Sequence, residues 1–268
     1  MQPLAITIKL AGARGAAITL SGLLLIAAVA PAIAAGCSFA PQGEGRVTEI
    51  IDARSFRLAD GRDVILAGIE PVTGSDGKTN QTAALSAIIA GHDVTLGGND
   101  DMPDRYGRQP AFVFLDSSET SVQAQLLAQG AALVAATVTD KDCAATLAAA
   151  EAAARDAKRG IWADPTVIKN TESPGDILAG IGRFMLVEGK VLSVRQAGAT
   201  TYLNFGRNWT RDFAVTIPKR MIAVFEGAGI MLKSLENRRI RVRGWIEARG
   251  GPRIEALRVG QIELLGEN

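Results

Sequence analysis

A chain of 268 residues has room for one or two globular domains. With 29 Lys+Arg against 28 Asp+Glu its net charge is +1, so overall charge names no partner, and two cysteines exclude a disulfide-built mini-scaffold while leaving room for one bridge.

Residues 1–36 read as an export signal. Lys9 and Arg14 are the only charges, a short apolar stretch over 16–30 includes Leu23, Leu24, Leu25 and Ile26, and Ala32, Ile33 and Ala34 form an A-x-A cleavage pattern. The apolar run is short for a membrane span of about 20 residues, so no transmembrane segment is expected in the mature chain, and export places that chain in an oxidising, periplasmic or extracellular compartment. Cys37 then has two readings that exclude each other. Ala34, Ala35, Gly36 and Cys37 approximate a lipoprotein box, with Ala where Leu is usual, which implies a lipid anchor; the other fate is a disulfide to Cys143.

From residue 45 the pattern becomes short and β-rich. Residues 46–51 and 55–58 alternate, Asp60 and Gly61 supply a tight hairpin, and 63–69 return as a third strand. The spacing of Ala84, Leu85, Ile88 and Ile89 predicts a helix over 79–90, closed by Gly91. Residues 92–96 are a fourth strand. Asp104, Arg105, Tyr106, Gly107 and Arg108 make a charged turn that presents guanidinium groups at the lip of a fifth strand, 109–115. Helices follow over 122–133 and 143–159, the second with Asp142 near its N-cap and Gly160 at its end; Ile161 and Trp162 pack back. Three strands, a helix, two strands and two helices is the order of an OB-like barrel, so the fold class is mainly β with added helices, α+β.

These residues resemble the staphylococcal-nuclease-like, or thermonuclease, family over residues 45–163. The matching segments are 47–56 with Asp52 in the turn, 64–70 ending on Glu70, 104–108, and 125–131, followed by the last helix into Gly160, Ile161 and Trp162. The resemblance implies calcium-assisted phosphodiester hydrolysis: carboxylates on the metal, a glutamate that activates water and two arginines on the phosphate. Several of these positions depart from the family. The first metal carboxylate falls at Arg54 and the first phosphate arginine at Ile65. The general base falls at Val72 or Thr73, neither of which takes a proton, and Asp76 is the one acid in that loop that stands nearby. Arg108 and Tyr106 keep their motif, with Arg105 beside them; Glu70 and Asp52 survive as carboxylates. A cationic Arg54 beside the metal position repels Ca²⁺.

Residues 164–182, with Pro165, Ser173, Pro174 and Gly175, read as a linker. Residues 183–268 read as a second OB-like barrel: a long strand over 184–194 bent at Gly189, strands over 200–205 and 212–217, a helix over 219–232, an alternating basic strand from Arg239 through Arg241, Arg243 and Trp245 to Glu247, and a final strand after Gly250 and Gly251. It resembles the module often appended to bacterial thermonuclease-like domains. The halves differ in sign: 37–165 hold 11 Lys+Arg and 18 Asp+Glu, net −7, and 166–268 hold 16 and 10, net +6. On the binding reading, Tyr202 stacks on a base while Lys190, Arg195, Arg207 and Arg211 meet phosphates. On the other reading Tyr202, Phe205, Phe213 and Trp245 are core, and the arginines form a solvated face or pair with Glu247, Glu255 or the acidic first half.

The expectation is an exported thermonuclease-like protein that has lost catalysis and binds nucleic acid, another envelope polymer or an envelope protein, with no assured cofactor or metal. The alternative is an active, calcium-dependent endonuclease using Arg108, Glu70 and Asp52.

Overall fold

The computed structural model describes residues 37, 39–72, 75–99, 102–115 and 118–266. Residues 1–36, read above as an export signal, and Asp100 and Asp101 therefore lie outside the described residues, as does the side chain of Asp76. The described residues form one compact unit, and among them no helix is long and apolar enough to cross a membrane.

The first half is a closed five-stranded barrel. Its strands are β1 (Ala40–Asp52), β2 (Ser55–Leu58), β3 (Asp63–Leu66), β5 (Asp93–Gly98) and β6 (Gln109–Leu115), ordered β1-β2-β3-β6-β5. The β3–β6 pair is parallel and the rest antiparallel. A short β4 (Ile69–Glu70) leaves the barrel after β3. The hairpin after β2 closes as the Asp-Gly pair demands: Gly61 has φ +87°, and Asp60 Oδ1 accepts from the Arg62 amide at 3.0 Å. Helix α1 (Ser75–Ile89) links β4 to β5, starting earlier than the apolar spacing indicated. Helix α2 (Val122–Ala128) is capped by Ser121 and stops short of the expected 133, because Gly130, at φ +68°, turns the chain into β7 (Leu133–Val134), which pairs with β4. Gln123, fully buried on α2, donates to the Ala111 carbonyl at 2.8 Å and accepts from the Val113 amide at 3.2 Å, fixing the helix to β6.

Helix α3 (Lys141–Asp156) is capped by Asp140 rather than Asp142, since the Asp140 carboxylate reaches the Cys143 amide at 2.8 Å. It ends before Gly160. That glycine, at φ +55°, instead lies against Gly130: a Cβ there would sit 2.3 Å from the Gly130 carbonyl oxygen, and the Ile161 amide donates to the same oxygen at 2.9 Å. Cys37 is bonded to Cys143 across a sequence separation of 106, with Cα atoms 4.3 Å apart. The disulfide reading of these cysteines holds, and the bonded sulfur is not free to carry a lipid.

Residues 164–182, expected as a linker, are built into the structure. They supply a 3₁₀ turn, β8 (Ile168–Asn170) and α4 (Pro174–Leu178), with Ile177 fully buried. β8 pairs in parallel with β9 (Phe184–Lys190). The expected long strand is broken at Val191 and Leu192 into β9 and β10 (Ser193–Ala197). Next come β11 (Thr200–Asn204), β12 (Ala214–Pro218), α5 (Lys219–Gly227), β13 (Arg239–Trp245), β14 (Glu247–Arg249), β15 (Gly251–Glu255) and β16 (Ile262–Leu264).

The second half, expected as an OB-like barrel, forms two sheets, β10-β11-β12-β15-β14 and β16-β13-β9-β8. The breaks at Val191 and at Ile246 divide what had read as continuous strands. Both sheets bury one shared core that includes Val187, Leu203, Phe213, Val215, Ile240, Val242 and Ile254.

The two halves meet through a small third core of Leu133, Ala154, Trp162, Phe184 and Leu186. Beside it the basic stripe of β13 finds its partners. Arg243 grips Glu151 of α3 with two hydrogen bonds of 3.0 and 2.8 Å and also donates to the Val134 carbonyl, while Glu151 accepts from the Val134 amide at 2.7 Å. Glu151 is 1 % exposed. Arg241 takes Glu188 and Glu263. Of the partners open to this stripe, the acidic first half is the one Arg243 uses; Glu247 faces Arg253.

Candidate functional site

Three pieces of the first barrel converge on one cleft. At the end of β1, Asp52 Oδ1 accepts from the Arg54 amide at 2.9 Å, tightening the turn. Arg54 then reaches β4, where its Nη1 donates to Glu70 Oε1 at 2.6 Å and to the Ile69 carbonyl at 3.2 Å. Pairing of Glu70 with Leu133 holds β4 in place. Glu70 is buried. Burial pushes its carboxyl above the ordinary glutamate value, outweighing the opposing pull of Arg54 and Arg108.

The third piece is the turn before β6. Asp104 organises it: Oδ1 accepts from the amides of Tyr106 and Arg108, and Gly107 takes φ +78°. Arg108 Nε and Nη2 both donate to Asp104 Oδ2, at 3.0 and 2.7 Å, and this pairing with Arg108 holds the Asp104 carboxyl below its usual value. Tyr106, 66 % exposed, lies under two guanidiniums, with Arg105 and Arg108 at 4.7 and 5.1 Å from its ring centroid.

Asp52, Arg54, Glu70 and Arg108 line one cleft of about 260 Å³, together with Phe184 and Trp245 from the second half. Arg108 Nη1 and Arg54 Nε and Nη2 donate no hydrogen bond among the described residues. They are the donors that an incoming anion would meet.

A family model described as Staphylococcal nuclease homologue matches residues 77–164. The first half is staphylococcal-nuclease-like. The matched stretch contains Arg105, Tyr106 and Arg108, and it leaves out Asp52, Arg54 and Glu70. No curated protein sequence matches the chain.

Calcium, implied by the resemblance, takes 6–8 oxygen ligands as a rule. Among the described residues the cleft offers two carboxylates, and Arg54 Nη1 already donates to one oxygen of Glu70. Among the described residues no three His, Cys, Asp or Glu side chains cluster to hold a metal. The described residues do not fit the ion.

The second-half candidates are placed elsewhere, and none lines the cleft. Tyr202 pairs directly with Arg195 on β10 and Thr216 on β12, on the sheet face opposite the core residues Leu203 and Val215. It is therefore not a core residue, although Phe205 and Phe213 are. Lys190 ends β9 and is exposed. Arg207 and Arg211 are exposed in a loop folded around Asp212, whose carboxylate accepts from the Asn208 amide at 2.7 Å. Sequence reasoning missed Trp245 as a cleft residue and counted it among the core aromatics; it is 50 % exposed. Its signal was its register, since Trp245 continues the Arg239, Arg241, Arg243 face of β13.

The raised Glu70 carboxyl has a pH consequence. A carboxyl with a folded pKa above its unfolded one costs stability at neutral pH, and that cost is relieved as pH falls through the raised value. Compared with Glu70→Gln, the native protein is expected to gain stability as pH falls from neutral towards the ordinary glutamate value of about 4.3, read from urea midpoints. A relative loss over that window would mean that the Arg54 attraction outweighs burial.

Proposed function

We propose that this is an exported, nuclease-like protein that binds single-stranded nucleic acid at the Arg54–Arg108 cleft without calcium-assisted hydrolysis. The observation that carries this reading is the 2.6 Å contact of Arg54 Nη1 with Glu70 Oε1, which sets a cation on one of the two carboxylates of the cleft. The donors of Arg54 and Arg108 that make no hydrogen bond among the described residues support anion binding, as does the basic second half. The signal-like residues 1–36 and the disulfide support export.

Filter binding of a labelled single-stranded DNA in EDTA, over a salt series, tests the reading. Affinity should fall as salt rises, and Arg108→Ala should weaken binding about tenfold, the loss of one charge-assisted contact. No retention at low salt would remove the reading.

A further inference from the structure

Trp245 has no role in the first half's barrel, yet it lines the same cleft as Arg54 and Arg108. Its neighbours on the strand are pinned. Gly244 sits so close to Ile254 that a Cβ would lie 2.5 Å from that side chain, and Ile246 is 1 % exposed with its amide bonded to the Arg183 carbonyl. Across the ladder Trp245 faces Phe184, ring centroids 6.0 Å apart at 76°. Phe184 in turn is clamped in the core between the halves with Leu133, Trp162 and Leu186. The indole is thus held by a strand and a packed core, yet half its surface is open.

We infer that Trp245, backed by Phe184, is the stacking wall of this cleft, and that its ligand is a phosphate ester carrying an unpaired planar ring: a mononucleotide or the end of a single strand. This rests on the anion-binding reading above and adds to it the residue that selects among anions. A large aromatic side chain fixed half-exposed in the same cleft as guanidinium donors that bond to no other described residue provides both things such a ligand requires. A π-face replaces water on the ring, and N–H groups meet the phosphate. A double helix, whose bases are stacked on each other, offers no free ring face. At about 260 Å³ the cleft has room for a single nucleotide unit.

The test titrates full-length protein in EDTA with adenosine 5′-monophosphate and with ribose 5-phosphate, which keeps the phosphate and lacks the base. Native protein should bind the nucleotide about tenfold more tightly, the usual range for one base on one aromatic ring. Trp245→Leu should abolish that ratio while leaving ribose 5-phosphate binding unchanged, and Trp245→Phe should retain part of it. Arg108→Ala should weaken both ligands. Equal binding of the two ligands to native protein, unaltered in Trp245→Leu and Trp245→Phe, would overturn the stacking wall while leaving the anion site standing. Binding of neither ligand would overturn both.

Discussion

Replacing Arg243 with Ala is expected to destabilise the protein by about 3–5 kcal/mol, seen as a fall in the urea unfolding midpoint. The size follows from what is left behind. Glu151, 1 % exposed, loses both hydrogen bonds from the guanidinium, and the Val134 carbonyl loses its donor. Arg155 approaches Glu151 no closer than 3.7 Å and does not replace that geometry. The pair is costly to break and much less costly to remove whole. Arg243→Met combined with Glu151→Leu is therefore expected to recover part of the loss, because neither charge is then stranded away from water, while the Val134 amide and carbonyl still lose their side-chain partners. A single Arg243→Ala variant within about 1 kcal/mol of native would mean that water reaches Glu151 and that the halves are not joined through this contact.

The second large effect concerns Cys37 and Cys143. The bond ties the residues ahead of β1 to the first turn of α3, and Cys143 is fully buried. Because it closes a loop spanning 106 positions, the chain-entropy model gives it about 4–5 kcal/mol, with measured losses on removal of about 2–5 kcal/mol. Unfolding in urea with and without dithiothreitol is expected to show that drop, and Cys37→Ser should reproduce it without reductant. Coincident unfolding curves for the oxidised and reduced protein would show that the bridge leaves the unfolded chain unconstrained.

The barrel of the first half was readable because its strands obey local rules. Alternation marks β2 and β6, and the Asp60-Gly61 pair specifies a turn whose geometry few other residues satisfy. The site was half readable. Asp52, Glu70 and Arg108 do share one cleft, and Arg54 had already signalled trouble for a cation. That Arg54 would instead satisfy Glu70 depends on a contact between residues 16 positions apart across the barrel, which no local pattern encodes. The second half was harder. Residues 168–170 have a polar, Pro-flanked look, but β9 lends them a partner strand, and Ile177 supplies the single apolar anchor that α4 needs. Trp245 shows the limit most clearly. Its alternation with Arg241 and Arg243 was visible, but whether that face met water, the second core or the first half was fixed only by how the sheet packs.

On the proposed reading, Arg54 has replaced metal-assisted chemistry with metal-free anion binding. The most direct measurement incubates one labelled single-stranded DNA with the full chain in calcium and, in parallel, in EDTA, and reads both retention and length. Equal retention in the two conditions, with the strand at full length, is the predicted result. A strand shortened in calcium and protected by EDTA would contradict the account.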